Sequence, residues 1–199
     1  MANSKQIIDQ LFHDWTHDLE PLAARIKVYR QIRDIPYAVI PSLIDSKRYI
    51  DILKSGRGSC TPKHFLLAEM FQRLGLLTLF AVYPFKWGER AEVFVDYPEK
   101  LKEMATRQPL GHHLACKVEI NGKMVVVDAT LDLPLSKLGL LPVNKDWNGY
   151  SDTLLPMTPV GEEIIFHPIE AHRMQARADT SSLAFYKELN KTLESIRRS

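Results

Sequence analysis

Asn121-Gly122 stands between two segments of alternating apolar residues, His113 to Ile120 and Lys123 to Asp128, and no other feature of the sequence restricts the fold so sharply. A tight two-residue hairpin needs positive φ at both central positions, which Asn and Gly reach at the least cost. A two-residue or four-residue turn centred there pairs positions whose numbers sum to 243, as 121 and 122 do. Ala115 then faces Asp128. His113, two residues earlier, lies diagonally across from Asp128 on the same face, at roughly 7–8 Å between backbone positions and within reach of a long side chain. His112 and Cys116 fall on the opposite face with Leu114, Val118 and Ile120, because side chains along a strand alternate. Parity therefore selects His113 over His112 and assigns Cys116 to the core.

A second feature lies upstream. Ser55-Gly56-Arg57-Gly58-Ser59 reads as a tight turn where backbone approaches something closely, and it leads directly into Cys60. Pro62 suits the first turn of a helix. The run to Leu74 is strongly apolar, with Glu69, Gln72 and Arg73 as a narrow polar stripe and Gly75 as a stop. It is expected to be a buried helix with the Cys60 thiol at its positive end, beside unpaired backbone N–H groups that favour a thiolate.

A lone cysteine is more often a small buried hydrophobe than a nucleophile, so position alone decides nothing. The hairpin adds the missing partners. A carboxylate at Asp128 can accept from one imidazole nitrogen of His113, fix the tautomer, and leave the other nitrogen to take a thiol proton. Cys60, His113 and Asp128 thus meet the requirements of nucleophile, base and orienting acid. The Cys60 backbone N–H is a natural first oxyanion donor, while the second donor has no signature in the sequence.

Around this nucleus the first 35 residues read as two helices, with Pro21 in the first turn of the second. The break at Asp34-Ile35-Pro36-Tyr37 is followed by a short helix from Lys47 to Lys54. Leu76 to Tyr83 reads as a strand, Pro84 to Pro109 as a mixed linker or helical excursion, and Thr130 to Pro168 as long loops with a strand at Glu163 to Phe166. A helix is expected from about Asp179 onward. Composition fits one globular domain over 1–199: 45% of the 199 residues are hydrophobic and 25% charged. Its core covers about residues 30 to 130, with 131–199 as a loop-rich wrap and C-terminal helix. The formal charge is +2 and the basic residues are scattered, so a phosphate-binding face is not expected and neither is nucleic acid as a partner.

No window approaches the roughly 18 consecutive apolar residues of a membrane span, and the first residues have no signal-peptide pattern. A cytoplasmic protein without a membrane partner is expected. Its two cysteines would then remain thiols. The predicted chemistry needs no cofactor and no metal ion.

At these residues the chain resembles the transglutaminase-like superfamily, whose core joins a Gly-x-Cys helix start to a strand beginning with His and a second strand ending in Asp. The matching segments are Gly58-Ser59-Cys60 with the helix to Leu74-Gly75, His113 through Asn121-Gly122-Lys123, and Val127-Asp128-Ala129-Thr130. Arg33-Asp34-Ile35-Pro36-Tyr37 is similar to the segment that leads into the Cys helix of that family. The resemblance spans about residues 30 to 130, and the interval of 15 residues from His113 to Asp128 follows the family pattern. It implies an α+β, papain-like fold: a buried helix carrying the Cys on an antiparallel sheet carrying His and Asp, with N- and C-terminal helices. It also implies a Cys60, His113, Asp128 triad forming a thioester that water or an amine resolves. The substrate would be a protein, a peptide or a small amide. Thr61-Pro62 and Ala129 depart from the usual family residues, which bears on substrate and local shape rather than on chemistry.

Other readings compete. Gly56-Arg57-Gly58-Ser59-Cys60 is similar to the Arg-Gly-Gly-x-Cys element of arylamine N-acetyltransferases, although the chain is shorter and Asp128 lacks their Gly-rich continuation. A transglutaminase-like domain that has lost catalysis would serve as a binding or scaffold module, but would gain nothing by keeping all three triad residue types. Cys60 and His64 with His113 and Cys116 could be considered for zinc, yet parity separates His113 from Cys116. Asn144 to Leu155 has the spacing of a calcium loop without its final glutamate, and reads better as an Asx-rich turn. Trp87, Tyr97, Trp147 and Tyr150 are candidate cleft liners. Hydrolysis versus transfer, the acyl donor and the oligomeric state have no signature in the sequence.

Overall fold

The computed structural model describes residues 4–90, 97–138, 143–173 and 180–199. Helices α1 (Ser4–Thr16) and α2 (Pro21–Arg33) come first, and Pro21 opens α2 where a missing N–H costs nothing. Ile35 precedes Pro36, which disfavours helical backbone, and α2 ends at Arg33. The chain then runs extended past Tyr37, which forms a single parallel bridge with Gly58. Two hydrogen bonds close it, Gly58 N–H to Pro36 O at 3.0 Å and Ala38 N–H to Gly58 O at 3.1 Å.

The expected helix from Lys47 to Lys54 is instead a 3-10 stretch, Ser46–Asp51, running into a short α3 (Ile52–Ser55) that Gly56 caps at a φ of 64°. Gly58 is the point of close approach: a Cβ there would lie 2.7 Å from Ile52 Cγ2, and Ile52 has no exposed surface.

Helix α4 (Cys60–Arg73) begins two residues before Pro62, so Cys60 is itself the first helical residue. Leu66, Leu67, Met70 and Phe71 are completely buried between α2 and the sheet, each stabilising the fold by about 1.5–3 kcal/mol relative to exposure. Strand β1 (Thr78–Phe85) follows. Pro84 to Pro109, expected as a mixed linker or helical excursion, includes among its described residues the short helices α5 (Trp87–Arg90) and α6 (Glu99–Thr106).

Strands β2 (Gly111–Ile120) and β3 (Lys123–Val127) form the hairpin, with Asn121 and Gly122 at φ of 52° and 75°. Cys116 pairs with Val127 and Ile120 with Lys123, the expected register. The antiparallel sheet has four strands in the order β3-β2-β1-β4, where β4 (Ile164–Phe166) is a three-residue edge strand on β1. Leu114, Cys116, Val118 and Ile120 join the main core with α4, while Ala115 packs with Ala81, Tyr83, Phe85 and Met157 in a separate apolar cluster.

Helix α7 (Leu183–Arg198) packs Phe185, Leu189 and Leu193 against Leu101, Leu131 and Leu135. Its last turn is pinned by Arg197, which donates to both carboxylate oxygens of buried Asp132, at 2.7 and 2.8 Å, and to the Tyr37 carbonyl at 2.7 Å. Among the described residues no helix is long and apolar enough to cross a membrane.

Candidate active site

Strand β3 stops at Val127, opposite Cys116, but β2 continues for five more residues back to Gly111. Glu119 N–H bonds to the carbonyl of Leu77, the residue just before β1, so odd-numbered N–H groups of β2 point at β1 and even-numbered ones at β3. Leu114 N–H therefore faces an edge where β3 has already ended. The Cys60 sulfur sits there and takes a hydrogen bond from Leu114 N–H, in the place of the next rung of the ladder.

The imidazole of His113 lies against the same sulfur and hydrogen-bonds with it. Its Nε2 is 2.5 Å from Asp128 Oδ2, which leaves Nδ1 as the nitrogen for the thiol. The second carboxylate oxygen of Asp128 accepts the Thr130 N–H at 2.9 Å. Asp128 itself is fixed by its backbone: its N–H donates to Thr153 Oγ1 at 2.7 Å, and its carbonyl accepts from the Tyr29 hydroxyl at 3.2 Å. His113 and Asp128 are each only 3% exposed, whereas Cys60 keeps part of its surface open.

Electrostatics follow from this packing. Burial alone would raise the Asp128 pKa, but the His113 cation, the hydrogen bond to it and the Thr130 N–H hold the carboxyl at about 2. Burial likewise opposes the imidazolium of His113, yet Asp128 and the Cys60 sulfur raise it to about 9. For Cys60, burial favours the neutral thiol and so does the Asp128 charge. The charge and hydrogen bond of His113, with the Leu114 N–H, outweigh both and lower its pKa. The two shifts act in the same sense, toward a thiolate beside an imidazolium. Cys116, completely buried, is pushed up by burial and by Asp128.

Two side chains of α4 that the sequence reading did not place in the site border it. Lys63 has no exposed surface and donates to the carbonyls of Arg33, Ile35 and Thr130 at 2.9, 2.8 and 2.7 Å. His64, equally buried, has Nδ1 at 2.8 Å from the Cys60 carbonyl and Nε2 at 3.0 Å from the Ala129 N–H. A helical pattern gives a signal for each: a lysine and a histidine seven residues before Met70 and Phe71, on the same apolar face, must find partners inside the fold. The sequence carries no signal for which backbone groups those are.

Both nitrogens of His64 being engaged, the zinc set of Cys60, His64, His113 and Cys116 does not form. Among the described residues no group of three or more His, Cys, Asp or Glu could hold a metal ion. The segment with calcium-loop spacing turns its oxygens onto its own chain: Asn148 Oδ1 accepts the N–H groups of Tyr150 and Ser151, and Asp152 Oδ1 accepts the Val126 N–H. This Asx turn delivers Thr153 to the Asp128 backbone. Of the four aromatics, Trp147 is core, packed on Tyr29 and Phe71. Trp87 and Tyr97 pack around the α7 cluster, and exposed Tyr150 lies under the Arg25 guanidinium at 4.9 Å. The Cys60 N–H belongs to the first turn of α4, where backbone donors lack intrahelical acceptors.

No protein-family model and no curated protein sequence matches the chain. Among solved structures it is similar to a protein from Cytophaga hutchinsonii described as a candidate cysteine protease, at 16% identity and a TM-score of 0.44. That likeness covers 82% of this chain and 47% of the other, so the chain spans about half the length of the protein it matches.

Proposed function

We propose that the chain is a cysteine-dependent acyl-transfer enzyme of transglutaminase-like, papain-like type, with Cys60 as nucleophile, His113 as acid and base, and Asp128 orienting His113. The observation that carries this reading is the continuous hydrogen-bonded series from Cys60 through His113 to Asp128, in which the thiol is lowered and the imidazole raised. Opposite shifts in adjacent groups are the usual mark of an acid and base set for reaction.

The Cys60 thiolate attacks a substrate carbonyl carbon, and the developing oxyanion takes a hydrogen bond from the Cys60 N–H at the start of α4. As the tetrahedral adduct collapses, His113 gives its proton to the leaving amine and a thioester remains on Cys60. Water or a second amine then attacks the thioester while His113 takes its proton. Collapse of this second adduct returns the thiolate and releases an acid or a new amide. Asp128 keeps Nε2 of His113 occupied throughout, so Nδ1 alone faces the reacting atoms. The substrate is a protein, a peptide or a small amide.

Acyl-bearing activity probes followed by mass spectrometry of the adduct test the reading. Labelling at Cys60 that His113→Ala abolishes is the expected result. Probes that label Cys60 no faster than a free thiol of ordinary reactivity would sink it.

A further inference from the structure

His64 links the two elements that carry the reactive groups, and the proposed chemistry gives it no step. Its hydrogen bonds define its state. A carbonyl can only accept, so Nδ1, at 2.8 Å from the Cys60 carbonyl, carries the ring hydrogen. An amide N–H can only donate, so Nε2, at 3.0 Å from the Ala129 N–H, presents its lone pair. Only the neutral Nδ1–H tautomer satisfies both bonds. An imidazolium would set N–H against N–H in a place with no exposed surface.

The same assignment removes the two commonest roles of a histidine beside a thiol. A ring whose lone pair is taken by a backbone donor is neither a reserve base nor a metal ligand. What is left is mechanical and electrostatic. The imidazole spans from the residue bearing the thiol to the residue directly after Asp128. Its Nε2 also lies 3.9 Å from Asp128 Oδ2, the oxygen that His113 uses, and its ring stands edge-on to the His113 ring at 6.1 Å between centroids. A positive charge at that point would compete with His113 for one carboxylate oxygen.

The geometry points to His64 as a positioning residue that holds the Cys60 turn at a fixed span from the Asp128 turn and, by remaining uncharged, leaves Asp128 to His113 alone. This inference rests on the triad reading above. The surroundings keep the ring neutral: burial depresses its pKa most, the cations of His113 and Lys63 add to that, and Asp128 and the Cys60 carbonyl oppose it, for a value of about 4. The Cys116 thiol, from β2, donates to the His64 backbone carbonyl at 3.5 Å.

The test is the pH profile of Cys60 alkylation by iodoacetamide, read by mass spectrometry, with folding checked by circular dichroism. His64→Asn is too short to reach Ala129, and His64→Leu has no polar atom. Both are expected to slow alkylation near pH 6 about tenfold, equivalent to about one unit in the thiol pKa. His64→Gln, whose amide oxygen can accept the Ala129 N–H, is expected to recover most of that loss.

Asp128→Asn and His113→Ala run in the same series separate the two claims. If these leave the profile unmoved, the triad reading fails and takes this one with it. If they shift the profile while folded His64→Asn and His64→Leu keep the wild-type one, the role of His64 is overturned and the triad stands. Should neither of those variants fold, imidazole 15N spectra of the wild-type protein decide. A neutral Nδ1–H ring persisting down to around pH 5 supports the assignment, and an Nε2–H tautomer or titration near pH 6.5 refutes it.

Discussion

Asp128 holds His113 through Nε2 at 2.5 Å and is itself anchored by Thr130 and Thr153, so the carboxylate that tunes the imidazole cannot swing away from it. Asp128→Asn keeps the shape and removes the charge. The His113 pKa is expected to fall from about 9 toward its ordinary value, and the Cys60 pKa to rise, because the His113 charge that is lost acts on the thiol more strongly than the direct Asp128 repulsion that is relieved. An adjacent opposite charge is worth about 1–3 pKa units, so alkylation of Cys60 near pH 6 should slow by tenfold or more. An unchanged pH profile would show that Asp128 does not act on the pair.

Acid should destabilise the fold in two stages. His64 is depressed to about 4 from an ordinary value of 6.5, so the unfolded chain binds the proton first, and stability present above pH 6.5 is lost as pH falls toward 4. The loss is on the order of 3 kcal/mol for a shift of this size. Asp128, depressed to about 2 from 3.8, adds a second loss in that lower window. Urea titrations at several pH values measure both, and His64→Leu should flatten the first limb alone. A wild-type stability that is level between pH 6.5 and 4 contradicts the assignment of a buried neutral His64.

Lys63→Met deprives three carbonyls of their donor, those of Arg33 and Thr130, which are buried, and that of Ile35, which is partly buried. With about 1–3 kcal/mol for each buried group left unmade, a loss of at least about 3 kcal/mol is expected in chemical denaturation. Arginine should rescue poorly, because a planar fork does not match three converging acceptors. A Lys63→Met protein that unfolds at the wild-type denaturant concentration would mean that the three carbonyls find other donors.

Arg197→Ala leaves Asp132, which has no exposed surface, without its bidentate partner. Breaking such a pair costs about 3–5 kcal/mol, and removing both members costs less. The double variant Arg197→Ala with Asp132→Ala should therefore melt higher than Arg197→Ala alone. Equal melting temperatures would show that the pair is not coupled.

The hairpin was legible because its information is local: two turn residues and a period of two specify both register and facing. That is why Cys116 could be assigned to the core and His113 set beside Asp128 from the sequence. The approach of Cys60 to Leu114 N–H was not legible, since it depends on β3 ending at Val127 while β2 continues, and strand ends are decided by what packs beyond them. Lys63 and His64 were hidden for a related reason. Apart from the Cys60 carbonyl, four residues before His64, their partners are backbone groups 28 to 67 residues away, and every residue carries such groups. The helices inside Pro84 to Pro109 are too short for periodicity to reveal. Trp147, a candidate cleft liner by type, is core because Tyr29 and Phe71 surround it.

The bond from Arg197 to the Tyr37 carbonyl joins residues 160 positions apart, and Tyr37 is the residue bridged to Gly58 just before the thiol. The turn that presents Cys60 is thus tied, through Tyr37, to α7 as well as to the segment that follows α2, so a change in α7 can reach the thiol without touching the sheet.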